Sequence, residues 1–301
     1  MQRNKISFNG QKIFVGIDVH KRKWSVATIT ESGFQRAHTQ NASAQELIDF
    51  LRRHYPDGDY MAVYEAGFTG FSTYYSLAEA GIGCMVIHAA DVPTTQYENV
   101  LKTDKIDCVK LAKSLRAGLL KGIYIRPKDS IDDRGVIRMR RAVIKDLSRY
   151  KIRVKHLLMS NGVEIPEQFD KRKGNNWSGA FIQWLKSDVK LLSETRRTLD
   201  MLIVQVERMR QAQLEATREL RKLSRIERYA ANYDLLCSIP GIGGIVAMTL
   251  LTEINDITRF NNEKQFASYL GLVPTSHSSG DKTIHGEMTF RGNKDNYDSE
   301  I

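Results

Sequence analysis

The stretch KIFVGIDVHKRKWSVATIT at residues 12–30 decides the fold of the first part of the chain. Residues 13–19, IFVGIDV, form an apolar run rich in β-branched side chains, which is typical of a buried strand. Residues 24–30, WSVATIT, alternate in polarity and predict a second strand. Asp18 lies inside the first of these strands, where a carboxylate is costly to bury unless it is paired or bound to a cation. Asp18 is therefore the first candidate functional residue.

Strands and helices continue to alternate after this pair of strands. Ser43 is expected to cap a helix over residues 44–54, in which apolar residues recur at helical spacing. Three strands followed by alternating helices and strands predict a mixed sheet with helices on its faces, an α/β domain over residues 1–125. The other predicted elements are a weaker strand at 34–39, a strand at 61–67, a helix at 72–80, a strand at 84–88 and a helix at 104–118.

Three further acids fall where this order of elements would bring them to one edge of the sheet. Glu65 lies near the end of the strand MAVYEAG, and Asp104 and Asp107 stand three residues apart at a helix start, so both project from one helix face. Taken singly, each acid has an ordinary explanation, such as a helix cap or an ion pair. Together with Asp18, and in this order of elements, they form a set of oxygen ligands suited to hard divalent ions, Mg²⁺ or Mn²⁺.

The middle of the chain, residues 126–230, is basic and helical. The protein has a net charge of +10, and residues 134–156 alone hold nine lysines and arginines against one acid. Because apolar residues are interleaved with these charges, the segment is predicted to be a helix and not a disordered tail. Such an excess predicts a polyanionic partner, either nucleic acid or an anionic membrane surface. The nucleic-acid contacts are assigned to Arg134, Arg138, Arg140, Arg141, Lys145, Arg149 and Arg153.

A long helix is predicted over residues 180–230. Its seam, from Leu192 to Leu223, alternates spacings of three and four residues for over four heptads. This spacing is typical of a coiled coil, which would make the protein a homo-oligomer, a dimer or a tetramer. A hairpin between this helix and the basic helix of the same chain fits the pattern equally well, and the sequence alone does not separate the two.

The last part, residues 231–301, is predicted to be a small all-α domain. Within SIPGIGG at 238–244, three glycines, Gly241, Gly243 and Gly244, make a tight turn between two helices, a helix-hairpin-helix pattern. Glycine amides beside a helix N-terminus favour phosphate groups over bases, although a turn without any ligand is the simpler alternative.

Three motifs, GIDVHK, YEAG and KTDKIDCVKLA, in this order and spacing, resemble the DEDD transposases of bacterial insertion sequences. That family includes the Piv-type DNA invertases, and its first domain is similar to the RuvC Holliday-junction resolvases. The resemblance continues through LLCSIPGIGGIVAMTLLTEI and FASYLGLVPTSHSSG to RGN at 291–293. It implies a ribonuclease H-like (RuvC-like) first domain whose metal-binding catalytic acids are Asp18, Glu65, Asp104 and Asp107. It further implies that Ser279 is the nucleophile, with Ser278 as the neighbouring alternative.

The resemblance also implies an activity and its partners. Members of the family cut and rejoin donor and target DNA, and they act with a structured non-coding RNA that pairs with both. Two other functions stay open: a RuvC-like structure-specific endonuclease, which would not need Ser279, and a nucleic-acid-binding derivative without catalysis. Because family members continue past RGN with an arginine-rich segment and further helices, the last domain is expected to be shortened at its C-terminus.

Several classes of protein are disfavoured by the sequence. No run of 18 apolar residues suggests a transmembrane helix, and the N-terminal residues lack the apolar core and cleavage site of a signal peptide. A phosphate-binding GxxxxGK[ST] motif is also missing, so ATP use is not indicated. The expectation is a cytoplasmic protein without a membrane partner.

Overall fold

The computed structural model describes residues 7–93, 104–169 and 177–272, with Asp104 as backbone only, and it adds residues 274–279 and 282–288 as the backbone of two strands. The chain divides into two compact units, Met1–Ile125 and Arg126–Ile301. Among the described helices, none is long and apolar enough to cross a membrane.

The first unit has the predicted order of strands and helices. Each predicted end lies within two residues of the observed one. Ser43 caps the first helix as expected, since its hydroxyl accepts a hydrogen bond from the Glu46 amide at 3.2 Å. The elements are β1 (Lys12–Val19), β2 (Lys23–Thr30), β3 (Gln35–Asn41), α1 (Ala44–His54), β4 (Asp59–Glu65), α2 (Ser72–Glu79), β5 (Gly83–Ile87) and α3 (Asp104–Arg116).

The five strands form one mixed sheet in the order β3-β2-β1-β4-β5. The short connections between β1, β2 and β3 make those strands antiparallel, whereas β1, β4 and β5 run parallel because helices connect β3 to β4 and β4 to β5. The predicted mixed sheet is confirmed, and its order is compatible with a ribonuclease H-like domain.

Each face of the sheet is covered by helices. Every second residue of β1 points to the face that packs against α1 and α2. These residues are Ile13, Val15 and Ile17. The opposite face packs against α3, where Val63 of β4 meets Leu111. Two residues of one strand that are two positions apart therefore share a face, which fixes the direction of the acids discussed below.

The second unit consists mainly of helices. The predicted division of this unit into a helical segment, 126–230, and a last domain, 231–301, stays a prediction. Its elements are α4 (Lys128–Ser160), α5 (Gly179–Ser187), α6 (Ser193–Leu223), α7 (Glu227–Cys237), α8 (Gly244–Ile254), α9 (Glu263–Leu270), β6 (Pro274–Ser279) and β7 (Lys282–Met288).

The prediction of one continuous helix over 180–230 is wrong. The chain leaves helical geometry at residues 188–192 and again at 224–226. At the first break, Arg196 Nη1 donates hydrogen bonds to the carbonyl oxygens of Leu185 at 2.8 Å and Val189 at 3.3 Å. The guanidinium thereby satisfies carbonyl groups that the end of α5 leaves free, a tertiary contact that no periodicity reveals.

The apolar seam of α6 packs within the chain, against α4. Leu199 and Val206 are buried in a cluster with Val154 and Leu158 of α4, and Leu220 is buried beside Ile137. These contacts make α4 and α6 an antiparallel hairpin, the alternative that the sequence left open. Pairing of the seam between two copies of the chain stays a prediction.

Leu199→Ala is expected to lower the free energy of unfolding by about 3 kcal/mol, because it opens a cavity at a fully buried position. Met201→Ala on the same helix, where the side chain is 62% exposed, should change it by less than about 0.5 kcal/mol. Urea unfolding followed by circular dichroism measures both. Equal small effects would contradict the intramolecular packing of the seam.

The prediction of an all-α last domain is also wrong. Strands β6 and β7 pair antiparallel, with Ser279 opposite Lys282. The segment from Pro274 to Met288 is mostly polar, so the alternation of apolar residues that predicts a strand is weak there. The Gly280-Asp281 pair between the strands is nevertheless a sequence typical of two-residue hairpin loops.

Candidate active site

Two of the predicted acids are neighbours at the ends of adjacent parallel strands. Ile17 of β1 lies opposite Tyr64 of β4, so the next residues along the two strands are Asp18 and Glu65. Glu65 shares its face with Val63, two positions earlier, which packs against α3. Asp18 therefore points to the α3 side of the sheet too. The Asp18 side chain is 22% exposed, and Glu65 is also accessible.

A glycine in β1 brings α3 unusually close to the sheet. A Cβ atom on Gly16 would lie 2.6 Å from the Ala112 backbone nitrogen, and closer still to the Cys108 carbonyl oxygen. Since Gly16 and Asp18 share a face, α3 crosses the sheet beside Asp18. The first turn of α3 carries Asp104 and Asp107, so all four predicted acids belong to elements that meet on this side of the sheet.

The buried thiol of Cys108 is affected by the charges of two of these carboxylates. Burial raises the pKa of Cys108 to about 11, and the negative charges of Asp18 and Asp107 add to the rise. A thiol with this pKa stays protonated at neutral pH, so Cys108 is a packing residue and not a nucleophile.

His20 is a site residue that was not predicted from the sequence. Its Nε2 atom lies 3.1 Å from Asp18 Oδ2, which makes it a hydrogen-bond partner of the first acid. Its position two residues after Asp18 in GIDVHK is the signal that would have found it.

The described acids do not by themselves enclose an ion. Among the side chains that the structure describes, no group of three or more His, Cys, Asp or Glu residues is arranged to hold a metal. The side chain of Asp104 lies outside the described residues.

Gly16→Ala is expected to destabilise the first unit by about 3 kcal/mol, because the added methyl group meets helix backbone that no change of rotamer can move away. Gly67→Ala is the matched control, since its Cβ would have only one neighbour, the Glu65 carbonyl oxygen at 3.9 Å. Thermal unfolding of both variants tests the close approach of α3. A fully stable Gly16→Ala protein would mean that α3 does not rest on β1.

Several of the basic residues assigned to nucleic acid make contacts within the second unit. Arg140 is only 8% exposed and donates Nε to the Thr217 hydroxyl at 3.1 Å. Arg149 pairs with Asp146 on the surface at 2.8 Å, while Lys145 is exposed. The positive charge of α4 therefore has structural as well as surface roles.

Glu253 is a buried acid in the apolar helix α8 that was not among the residues predicted from the sequence. It is fully buried, and it accepts hydrogen bonds from Arg134 Nε at 2.7 Å and Arg138 Nε at 3.1 Å. The Tyr269 hydroxyl donates to its backbone carbonyl oxygen at 2.6 Å. The signal was available, because a single acid in GIVAMTLLTEI is as unusual as Asp18 in β1.

Glu253 should make the free energy of unfolding depend on pH. Burial by itself would raise its pKa, but the hydrogen bonds from Arg134 and Arg138 outweigh that effect and lower the pKa to about 2. A carboxyl group whose pKa is lower in the folded state stabilises the protein above its unfolded pKa, near 4.5, and this contribution is lost as the pH falls towards 2.

Glu253→Gln is therefore expected to cost about 3 kcal/mol at neutral pH, since it leaves two arginines without their counter-charge. The difference from the unmodified protein should shrink between about pH 4.5 and pH 2. Chemical unfolding across that pH range measures it, with Glu215→Gln, at an exposed position on α6, as the control. A difference that is independent of pH would contradict the ion-pair explanation.

The glycine turn of the second unit connects α7 to α8, and its prediction as a helix-hairpin-helix stays a prediction. Gly241 adopts a φ of +90°, a conformation that favours glycine, and α8 begins at Gly244. A Cβ on Gly244 would collide with the Tyr233 hydroxyl of α7, so a larger residue here would displace the Tyr233 side chain.

Ser279 is the last residue of β6, and its backbone pairs with Lys282. The side chains of Ser278 and Ser279 lie outside the described residues, as does the RGN motif at 291–293.

Two family models match this chain. Residues 15–161 match a family model for transposases of the DEDD IS110 type, and residues 233–295 match the model "Transposase IS116/IS110/IS902 family". One relative, y4qE of Sinorhizobium fredii, is named as a transposase. It is 25% identical to this chain over 305 residues, and the match covers 94% of this chain and 68% of that protein.

Two further relatives extend the comparison. The transposase for insertion sequence element IS1533 of Leptospira borgpetersenii is 24% identical over 262 residues, covering 84% of this chain and 72% of the relative. The pilin gene-inverting protein of Moraxella bovis is 42% identical over 64 residues, covering 21% of this chain and 20% of the relative.

The family matches define a DNA transposase, an enzyme that acts on DNA, and the mixed sheet is compatible with that class. The chain belongs to the IS110 family of DEDD transposases, as the motifs GIDVHK, YEAG and KTDKID predicted. A domain of this type generally uses divalent metal ions.

Proposed function

We propose that the protein cuts and rejoins insertion-sequence DNA, using carboxylates in a ribonuclease H-like first domain and Ser279 as a covalent nucleophile. The observation that carries the proposal is the position of Asp18 and Glu65, which directly follow the paired residues Ile17 and Tyr64 at the ends of adjacent parallel strands, on the face that α3 crosses. Strand ends that converge on one face bring acids together from distant points of the chain, and phosphoryl transfer commonly uses such a set.

Asp18, Glu65, Asp104 and Asp107 would hold Mg²⁺ or Mn²⁺. Their donor chemistry fits, because all four offer carboxylate oxygens, the ligands that these hard ions prefer. When bound, such ions stabilise charge on the attacking and leaving oxygens of phosphoryl transfer. The residue His20, which lies 3.1 Å from Asp18, orients that carboxylate.

Ser279 would give the enzyme a way to conserve bond energy between cutting and rejoining. Its hydroxyl oxygen attacks a DNA phosphorus and forms a serine phosphodiester, while the displaced sugar oxygen leaves with a proton as a free hydroxyl. A sugar hydroxyl of the partner strand then attacks the same phosphorus, and the serine recovers its proton. No bond energy is lost to water, so rejoining needs no ATP.

The partners of this reaction are donor DNA, target DNA and a structured non-coding guide RNA. The family resemblance supports the guide RNA, and the exposed basic residues of α4, such as Lys145 and Arg149, are suited to nucleic-acid backbone. We also propose that the protein acts as a homo-oligomer, a dimer or a tetramer.

The test is incubation of the purified protein with branched DNA of its own insertion-sequence ends, the guide RNA of that element and Mg²⁺. We expect strand cleavage together with a covalent protein–DNA adduct, and loss of both in EDTA. Cleavage without an adduct would favour the RuvC-like endonuclease. Binding without cleavage in either Mg²⁺ or Mn²⁺ would favour the derivative without catalysis.

A further inference from the structure

A lysine on the second strand shares a face of the sheet with the candidate acids. In the antiparallel pair of β1 and β2, Ser25 lies opposite Asp18, so both side chains point to the same side of the sheet. Lys23 lies two positions before Ser25 and therefore points to this side too. The packing of β2 agrees with this direction, because Ala27, which continues the same alternation, lies in a cluster with Cys108 of α3.

Lys23 is the diagonal neighbour of Asp18 across the two strands. Diagonal neighbours in an antiparallel pair stand about 7–8 Å apart, which is within reach of a long side chain. Lys23 is exposed, and its side chain forms no ion pair or hydrogen bond with the residues that the structure describes. The ammonium group is therefore available to a ligand that approaches Asp18 from solvent.

Helix α3 begins over the same end of the sheet. Its last residue, Arg116, donates Nη2 to the Glu31 carbonyl oxygen at 2.9 Å, just past the end of β2. Cys108, two turns earlier in the helix, lies over Gly16 of β1. The helix therefore runs in the same direction as β2, and its first turn, which carries Asp107, lies towards the end where β2 begins.

The hairpin turn that leads into Lys23 is held on both of its sides. On one side, His20 Nε2 lies 3.1 Å from Asp18 Oδ2. On the other side, the Ala42 amide donates a hydrogen bond to the Arg22 carbonyl oxygen at 3.1 Å. A side chain that projects from a fixed backbone is better placed to hold a ligand than one on a free loop.

The charge balance of the proposed site calls for a cation of this kind. Two divalent ions balance the charge of four carboxylates, so the negative charge of the phosphodiester itself is left without a counter-charge. A lysine ammonium is a compact positive charge with three hydrogen-bond donors, which suits the non-bridging oxygens of a phosphate. Lys23 lies where it can supply that charge without competing for the metal ligands.

We propose that Lys23 contacts the phosphodiester that is cut, with Nζ donating a hydrogen bond to a non-bridging oxygen of that phosphate. The inference rests on the proposed function for the place of cleavage. It adds a substrate-binding residue on β2, a strand that carries none of the four acids. The contact serves the rate more than the affinity, because it fixes the phosphorus against the acids and stabilises the charge that develops on its oxygens.

The first experiment separates rate from affinity. Lys23→Met keeps the length of the side chain and removes its charge, whereas Lys23→Arg keeps the charge. In single-turnover cleavage of the branched DNA at saturating protein, Lys23→Met should lower the rate about thirtyfold, the loss of one charge-assisted contact. The Kd should change by less than about threefold, and Lys23→Arg should retain the rate within about threefold. An unchanged saturated rate in Lys23→Met would overturn the proposal.

Lys12→Met is the matched control. Lys12 is exposed at the start of β1 and follows the same alternation as Asp18, so it lies on the same face at the opposite end of the sheet. The same chemical change there should leave the saturated rate unaltered. A loss as large as that of Lys23→Met would show a general effect of surface charge and would count against a contact at the cleaved phosphate.

The second experiment needs no cleavage. Methylphosphonate replaces the charged oxygen of one phosphate at a time along the branched DNA, and fluorescence anisotropy in EDTA measures the affinity of the unmodified protein and of Lys23→Met. At the phosphate that is cut, the two changes should be non-additive by about tenfold, because each removes one partner of the same contact. At the other phosphates they should be additive. Additive effects at every phosphate, or coupling only at a phosphate that is not cut, would refute the contact.

Failure of this inference is distinguishable from failure of the proposed function. If the unmodified protein cleaves DNA and Lys23→Met is coupled to none of the phosphates, the role of Lys23 is refuted and the proposed function stands. If Lys23→Met is coupled to one phosphate but the unmodified protein cleaves no strand, the contact of Lys23 with DNA stands and the catalytic proposal is refuted.

Discussion

Asp18→Asn is expected to lower metal-dependent DNA cleavage by about a thousandfold, while the protein stays folded and still binds nucleic acid. The amide keeps the shape of the side chain but removes the negative charge that a divalent ion requires. A loss of about 4 kcal/mol in transition-state stabilisation corresponds to this factor. Cleavage of an end-labelled DNA branch in Mg²⁺ and in Mn²⁺ measures the rate.

Asp59→Asn is the matched control. Asp59 begins β4, at the opposite end of the sheet from Glu65, and it pairs with Lys12 at the start of β1. The same chemical change at this end of the strands should leave cleavage unchanged. Full activity of Asp18→Asn, or an equal loss in Asp59→Asn, would contradict the assignment of the catalytic edge of the sheet.

Ser279→Ala is expected to abolish both the covalent protein–DNA adduct and the recombinant product, because no other atom of the chain is assigned to hold the broken strand. Binding and the fold should be unaffected, since the change removes a single hydroxyl group. Denaturing gel electrophoresis of labelled DNA detects the adduct, and amplification across the new junction detects the product.

Ser278→Ala is the control for the neighbouring hydroxyl, and it should retain most of the product. If Ser279→Ala still forms a serine-linked adduct and Ser278→Ala does not, the nucleophile is Ser278. If Ser279→Ala cleaves DNA at the normal rate and the unmodified protein forms no adduct on its own substrate, water is the nucleophile and the protein is a nuclease.

The fold of the first unit could be predicted because its signals are local. Alternation in β1 and β2, the cap at Ser43 and the apolar repeat of α1 each depend on residues that are neighbours in sequence. Asp18 could be found in the same way, because a carboxylate inside an apolar strand is unusual whatever surrounds it. His20 and Glu253 carried comparable signals that the sequence analysis did not use.

The predictions from sequence were wrong where an element depends on a contact between residues that are far apart in the chain. The end of α5 depends on Arg196, which reaches back to carbonyl groups of Leu185 and Val189. Strands β6 and β7 pair with each other. Their sequences are mostly polar, so they lack the alternation of apolar residues that would predict a strand. The apolar repeat of a helix also does not indicate which other element the helix will pack against.

By itself, the sequence determined the order of strands and helices in the first unit, the identity of the candidate acids and the family, because period, residue type and motif are properties of the chain alone. Only the tertiary structure decided that the seam of α6 packs on α4, that Arg134 and Arg138 hold Glu253, and that Lys23 shares a face of the sheet with Asp18. The physical reason is that burial and charge pairing depend on distances in space between residues far apart in the chain, and many pairings satisfy the same local pattern.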